Sequence, residues 1–453
     1  MNERFDAIIV GAGSAGSAAA WQIARRGLRV AVLDARGLDD AGARWVNGVP
    51  PWMFEHAGLA LPQGEELRSA PGAGFVMADA SATHRVDMRP SPVLAVDMRA
   101  LNARIRGLAA QAGAQFREHR RVRDVDLEGG RVRAVRTAEG ERFVADLFVD
   151  AAGLAGVLRD VVPDLRAFAP DIARSDLCSA AQQVHAVADR AALRRFLERH
   201  RLQPGDAFSR VGVAGGFSTV MMQTSADLEH IEILTGAVAT AGVPTGRALL
   251  DDAVARHPFV GARLFGGAGV IPLRRSWDRL GAGGVMLLGD AACQVFPAHG
   301  SGVGPGLVAA MHLGAAIDHV AHRGGDPGDD AVLWDATARY QRDIGAVAAA
   351  YDVFRRYTAN LSAADQAAVI AAGMMTEDSA RAGLAQQMPL TDPSALLGTL
   401  SGALRVPRLA LRLGPAVARM QAVFAAYRRY PQTPHLPALR AFSDRVRLLA
   451  GEA

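Results

Sequence analysis

The hydrophobic and polar positions divide the chain into three kinds of pattern. Short apolar runs that end in glycine or aspartate predict buried strands at residues 6–10, 28–33 and 285–288. Loosely alternating runs between residues 175 and 267 predict half-exposed strands of a second sheet. After residue 320 the apolar residues recur at helical spacing. The chain is therefore predicted to contain an α/β domain, an inserted sheet and a helical C-terminal region.

The first strand leads directly into a glycine-rich turn and then a helix. Glycines at the first, third and sixth positions of residues 11–16 follow the strand, and a second strand ends at Asp34. In this context a G-x-G-x-x-G motif binds a dinucleotide: its glycines permit a tight turn, close approach to a pyrophosphate and close helix packing. An acid at the end of the second strand is placed for a ribose hydroxyl. The predicted contacts are Gly11, Gly13, Ser14, Ala15, Gly16, Asp34 and Ala35.

A second loop of the same kind follows the strand at residues 285–288. It begins with Gly289-Asp290 and delivers several glycines to a helix N-terminus. The aspartate can accept hydrogen bonds from ribitol or ribose hydroxyls, and the backbone N–H groups can stabilise negative charge. FAD fits both loops, because its adenosine half would lie on the first and its flavin on the second. The predicted contacts are Gly289, Asp290, Pro297, Gly300, Gly302 and Val303.

With these two loops the sequence resembles the flavoprotein family that includes para-hydroxybenzoate hydroxylase and geranylgeranyl reductase. Residues 96–102 resemble the helix whose arginine contacts the FAD linker, and residues 148–153 resemble a strand-end Asp-x-x-Gly element. The second loop is most similar to the geranylgeranyl reductase branch, although Phe296 stands where that branch has asparagine. Residues 216–221 also lack the aromatic strand typical of prenyl-binding members. The resemblance implies further FAD contacts at Arg99, Val122, Ala152 and Gly153.

The resemblance also implies the domain organisation. We expect an α/β fold with an α+β insert: a Rossmann-like FAD-binding domain, an inserted antiparallel-sheet substrate domain and a helical C-terminal region. The C-terminal helices are interpreted as a packed appendage, with a hydrophobic tunnel or a membrane-surface face as the alternative. The predicted parts are 1–73, 92–174 and 269–320 for FAD, 74–91 and 175–268 for substrate, and 321–453 for the helices.

Composition narrows the function classes. Two cysteines in 453 residues exclude a disulfide framework, and no apolar run reaches the length of a membrane span, so a cytoplasmic location is expected. All 50 basic residues are arginine, which excludes a Walker A lysine and Schiff-base chemistry. The net charge of +4, with arginines scattered among acids, predicts solvated faces rather than a nucleic-acid surface. The histidine and cysteine spacings predict no metal site.

Few side chains need to carry the chemistry, because in flavin enzymes the isoalloxazine performs the redox step. The backbone N–H groups of Gly302 and Val303 are expected to stabilise negative charge on the reduced flavin. His299 is the candidate catalytic residue, either protonating an intermediate or holding the flavin, and a backbone-bonded loop histidine is the alternative. The predicted substrate-side residues are Trp45, Asn47 and Phe217.

The resemblance implies an FAD-dependent oxidoreductase that reduces, or dehydrogenates, carbon–carbon double bonds of a lipophilic small molecule. The alternative is an FAD-dependent monooxygenase that hydroxylates or epoxidises an aromatic or polyketide-type product, since both need the same FAD residues. A flavin-free binder of prenylated proteins is disfavoured by the intact glycine motif and Asp290. No second strand-anchored G-x-G-x-x-G is present, so NAD(P)H or another external reductant is expected to act without its own domain. The oligomeric state stays open.

Overall fold

The computed structural model describes residues 2–238, 242–389 and 401–452. Its centre is a six-stranded sheet, parallel except for one edge pair, with Ala7–Val10 buried in the middle. Apolar residues fill both faces of its inner strands, which share one core with the helix Ser14–Ala24 and with Val132, Val135 and Phe143 of a smaller sheet. In sheet order the strands are Gly281–Ala282, Val285–Leu287, Leu147–Asp150, Ala7–Val10, Val30–Leu33 and Gln115–Arg117.

The inserted sheet has seven strands and forms the roof of the molecule's main cavity. It is antiparallel except where Phe75–Ala78 pairs in parallel with Ala207–Val211. Its edge strand Val260–Pro272 runs past the predicted boundary at residue 268, because it stays paired with Leu177–Val187. In sheet order the strands are Val260–Pro272, Leu177–Val187, His230–Val238, Ser218–Thr224, Ala207–Val211, Phe75–Ala78 and Arg85–Met88.

Two smaller sheets complete the strands. Residues 142–150 form two strands: Arg142–Val144 joins a four-stranded sheet and Leu147–Asp150 enters the central one. A two-stranded sheet pairs Val46–Val49 with Leu94–Asp97. The four-stranded sheet contains, in order, Asn2–Arg4, Arg142–Val144, Arg131–Thr137 and Val122–Glu128.

The helices bear out the predicted helical C-terminal region. Ser362 and Asp365 form a capping box, and a π-turn at Gln341–Gly345 joins two consecutive helices. No helix in the described ranges combines the length and hydropathy of a membrane span. The helices are Ser14–Ala24, Pro51–His56, Met98–Gln111, Pro163–Arg166, Arg190–Arg199, Gly246–Arg256, Val303–Ala321, Asp330–Tyr340, Ala346–Thr358, Ala363–Ala371, Glu377–Leu384, Pro407–Tyr427 and Leu436–Ala450.

A buried ionic contact fastens the C-terminal helices to the rest of the protein. The guanidinium of Arg275 donates to the carboxylate of Glu452 at 2.7 Å and to the hydroxyl of Tyr427 at 2.9 Å. Asp278 is its third partner. A buried guanidinium is tolerated only when its donors are satisfied, so this network fixes where the last helices can lie.

Candidate active site

The glycine motif forms the tight turn that its sequence predicts. Gly11 has φ +106°, and a Cβ there would lie 2.3 Å from the Ala151 carbonyl oxygen. A Cβ on Gly16 would lie 2.0 Å from the Gly11 carbonyl oxygen, because the helix packs directly on the strand end. Asp34 accepts hydrogen bonds from the N–H groups of Ala12 and Arg36, each at 2.8 Å. The acid therefore orders the turn as well as facing the cavity.

The two predicted nucleotide loops meet at one side chain, Ala15. A Cβ built on Gly289 or on Gly306 would lie 3.1 Å from the Ala15 Cβ. The side-chain oxygen of Gln294 accepts a hydrogen bond from the Gly289 N–H at 2.8 Å and stabilises the turn at the start of the second loop. Segments that are far apart in sequence thus build one continuous cradle.

A single cavity of about 1380 Å³ runs from this cradle to the C-terminal helices. Its volume exceeds the roughly 300–1,000 Å³ of most ligand sites, so a cofactor and a substrate can share it. Most residues that the sequence singled out line it: Gly11, Gly13, Ser14, Ala15, Asp34, Ala35, Trp45, Asn47, Val122, Ala152, Gly153, Phe217, Gly289, Asp290, His299, Gly300, Gly302 and Val303.

Three predicted contacts lie outside the cavity lining. Gly16 sits beneath the turn, where its absent side chain permits close packing. Pro297 is a buried residue of the second loop and does not line the cavity. The Arg99 guanidinium donates to Asp97 at 2.7 Å and lies 3.5 Å from the centre of the Phe265 ring. The pair holds the pKa of the Asp97 carboxyl below its usual value despite burial. Arg99 therefore stabilises the helix start rather than facing the cavity.

Asp290 has the environment of a carboxylate that needs a ligand. Among the described residues, none donates a hydrogen bond to its side chain, and burial raises its pKa to about 6. A desolvated carboxylate without donors is unfavourable, and hydroxyl groups of a bound molecule would supply them. The ribitol chain of FAD carries such hydroxyls, so the residue fits the predicted cofactor.

His299 is a neutral hydrogen-bond donor facing the same space. Its Nδ1 lies 3.3 Å from the N–H of Ser301, so in the neutral ring the proton sits on Nε2. Within the described residues Nε2 has no hydrogen-bond partner, and burial lowers the pKa of the imidazole to about 4. Phe296 stacks beside it at 4.9 Å between ring centres. The unpaired N–H is available to a flavin or a substrate.

The structure adds residues that the sequence did not indicate. Gln182 accepts from the Val46 N–H at 2.8 Å and donates to Glu232, so it holds the strand that carries Asn47 against the roof. Burial raises the pKa of Glu232 to about 8. In the sequence the signal is the adjacent pair Gln182 and Gln183 between Ala181 and Val184. A polar pair in a strand does not by itself indicate a function.

The far end of the cavity is mainly apolar, with Thr358, Gln366 and Asp378 among its polar lining residues, and is built largely by the C-terminal region. Phe296, at the position where the resemblance implies asparagine, has its ring centre 4.8 Å from that of Tyr351 and joins the second loop to these helices. Side chains from four helices and from the connections between them thus enclose a lipophilic volume next to the flavin loop. They are Phe354, Leu361, Val369, Ile370, Met374, Met375, Leu384, Leu413 and Met420.

Comparison with known proteins agrees with this site. Residues 6–212 match the FAD dependent oxidoreductase family. The chain is 24% identical over 454 residues to the digeranylgeranylglycerophospholipid reductase of Sulfolobus acidocaldarius, covering 95% of this chain and 94% of that protein. It is 27% identical over 332 residues to the menaquinone reductase of Mycolicibacterium smegmatis, covering 68% and 75% respectively.

The fold has solved counterparts. A geranylgeranyl bacteriochlorophyll reductase-like protein from Thermoplasma acidophilum superposes with a TM-score of 0.69 at 16% identity, covering 92% of this chain and 100% of that one. The predicted fold class and family resemblance are confirmed. The chain is an FAD-dependent oxidoreductase, and it is similar to geranylgeranyl reductases in sequence and fold.

Proposed function

We propose that this enzyme reduces carbon–carbon double bonds in a lipophilic, isoprenoid-like substrate. The carrying observation is the apolar end of the cavity, which adjoins the second loop and holds residues such as Phe354 and Ile370. A flexible hydrocarbon gains about 25 cal/mol for each Å² of apolar surface removed from water, so this wall favours such a chain. Relatives named as reductases of geranylgeranyl lipids and of menaquinone support the same substrate class.

The chain's own groups position the reactants. Bound and reduced FAD would supply the hydride. Asp290 would hold the ribitol, while the N–H groups of Gly302 and Val303 at the helix N-terminus would stabilise negative charge at the flavin's pyrimidine edge. His299 would donate its free Nε2–H, and its low pKa keeps it neutral rather than cationic near neutral pH. Trp45, which packs against Gly267 of the roof, would exclude water from one side.

An external reductant is part of the proposal. NAD(P)H or a protein electron donor would reduce FAD from within the open cleft, as no second dinucleotide motif is present in the sequence. This part is separable from the substrate proposal, because dithionite can replace a biological donor in a first assay.

The test is anaerobic turnover. We would reduce the FAD-loaded enzyme with dithionite, add a polyunsaturated isoprenoid lipid or menaquinone, and follow flavin reoxidation and product mass. The proposal predicts reoxidation coupled to the gain of two hydrogen atoms per reduced double bond. If flavin reoxidation instead required oxygen and the product acquired an oxygen atom, the monooxygenase alternative would replace it.

A further inference from the structure

Outside the cavity, three side chains from distant parts of the sequence meet at one point. His56 ends the helix Pro51–His56, His312 lies in Val303–Ala321, and Asp343 lies in the π-turn between two later helices. The Nε2 atoms of His56 and His312 lie 2.9 and 2.8 Å from the same Asp343 oxygen, Oδ2. The ligand-type atoms of all three residues lie within 4.8 Å of one another.

The charge environment of this cluster is unusual for the protein. Carboxylates elsewhere pair repeatedly with arginine, as Asp318 does with Arg26. Within the described residues Asp343 instead pairs only with two imidazoles, and the neighbouring Arg342 donates to the Arg428 carbonyl. Two imidazole nitrogens directed at one carboxylate oxygen place three metal-ligand atoms together, without a competing guanidinium.

We propose that His56, His312 and Asp343 form a binding site for a divalent transition-metal ion, with Zn²⁺ as the reference ion. Imidazole nitrogens select zinc and its neighbours over Mg²⁺ and Ca²⁺, which prefer all-oxygen ligands. Bond lengths of about 2.0–2.1 Å in tetrahedral geometry require ligand atoms about 3.3 Å apart. The observed spacings of 2.8 and 2.9 Å need only a small side-chain expansion to admit an ion.

The exposure of the three side chains suits an ion that arrives from solvent. His56 is 42% exposed and Asp343 35%, whereas His312 is 12% exposed and supplies a fixed anchor. Three protein ligands leave a position for water. Each imidazole would bind through the Nε2 lone pair with its ring proton on Nδ1, so no oxidant or reductant is involved.

A bound ion would fix the relative positions of three structural elements and would take no part in the redox reaction. His312 lies nine residues after Val303, about 14 Å along a helix that begins at the flavin loop. His56 ends the short helix whose Met53 packs against Gly304. A bound ion would therefore link the helix that begins at the flavin loop to the short helix packed on its first turn, and both to the kink at Asp343.

The test is metal binding by the full-length, FAD-loaded enzyme, free of affinity tags and treated with EDTA. We expect calorimetry and equilibrium dialysis to show one Zn²⁺ per chain, with an affinity reduced at least about tenfold in His56→Gln and in Asp343→Asn. Zn²⁺ should raise the Tm of the wild type but not of these variants. His84→Gln, which removes an exposed histidine elsewhere, is the matched control and should bind as the wild type does.

His312→Ala tests the contribution of the more buried ligand. If this variant fails to fold, His56→Gln still tests the site, because His56 is more exposed than His312. Equal flavin content in the metal-free proteins would establish that the variants are intact. The proposal is overturned if the wild type binds no stoichiometric Zn²⁺, or if His56→Gln and Asp343→Asn bind it as tightly as the wild type.

Discussion

The two ends of the cavity are built in opposite ways. The nucleotide end is made of backbone: Gly11 and Gly16 leave no room for a side chain, and Asp34 binds two main-chain N–H groups. The far end is made of interchangeable apolar side chains from the C-terminal helices, such as Phe354 and Leu413. One end requires particular residues at fixed spacing, while the other requires only volume and hydrophobicity.

This difference predicts how each end responds to substitution. Backbone contacts cannot relax, so a single methyl group at the nucleotide end should abolish binding. Apolar walls can repack, so changes at the far end should alter which substrate is used while leaving FAD in place.

The largest effect is expected for Gly16→Ala. The added Cβ would lie 2.0 Å from the Gly11 carbonyl oxygen, and neither backbone segment can move away easily. We expect loss of bound flavin after purification and a lower Tm. Gly107→Ala is the matched control, because Gly107 also lies in a helix and its Cβ would meet nothing within 4 Å. Retention of full flavin content in Gly16→Ala would show that the nucleotide end is more plastic than its geometry indicates.

Asp290→Ala should have the next largest effect, by removing the acceptor for the ribitol. A hydrogen bond to a charged group contributes about 1.5–3 kcal/mol, which corresponds to roughly a 10–150-fold weaker FAD Kd. Flavin titration of the apoprotein, followed by fluorescence quenching, would measure it. Asp335→Ala removes an exposed carboxylate and should leave the Kd unchanged. An unchanged Kd for Asp290→Ala would contradict the assignment of this loop.

The same contrast explains what the sequence could predict. Gly11, Asp34 and Asp290 belong to short motifs with the spacing expected for a dinucleotide, so a strand, a turn and a helix were enough to predict them, and all three line the cavity. Arg99 shows the limit, because a local motif could not reveal that Phe265 and Asp97 hold its guanidinium. The apolar wall had no motif at all: Ile370 and Leu413 follow ordinary helical periodicity, and only long-range packing places them beside the flavin loop.

Phe354→Ala should separate substrate use from cofactor binding. The side chain lines the apolar end, and losing part of its contact should cost about 1.4 kcal/mol, or about tenfold in kcat/KM for a long isoprenoid. The FAD Kd should not change. Tyr357→Ala, on the same helix but outside the cavity lining, is the control. If Phe354→Ala lost flavin as Gly16→Ala is expected to, the proposed division between the two ends would fail.

A smaller effect is expected in the pH dependence of stability. Burial lowers the pKa of His299 to about 4 from an ordinary 6.5, so the unfolded chain binds more protons between these values. The free energy of unfolding should therefore rise with pH across this window, by at most about 1.4 kcal/mol per pH unit from this residue. Asp290 acts oppositely between pH 3.8 and about 6, because its pKa is raised.

The His299 contribution is isolated by comparison with a variant. Urea unfolding of the FAD-free protein at several pH values should give a smaller upward slope for His299→Gln than for the wild type. His84→Gln, at an exposed position, should keep the wild-type slope. Parallel curves for wild type and His299→Gln would mean that the imidazole is not held neutral by burial.

The smallest effect concerns the thiols, which should not react at all in the folded enzyme. Burial raises the pKa of both Cys178 and Cys293 to about 12, so the thiolate that attacks a disulfide reagent is nearly absent at pH 8. Cys293 lies in the second loop and does not line the cavity, whereas Cys178 lines the cavity from a strand of the roof. Labelling with an aromatic disulfide should be negligible in the FAD-loaded protein and complete after denaturation. Rapid labelling of Cys178 alone would show that the roof moves away from the cavity while the second loop stays closed, which would sharpen the contrast between a fixed backbone site and walls that can repack.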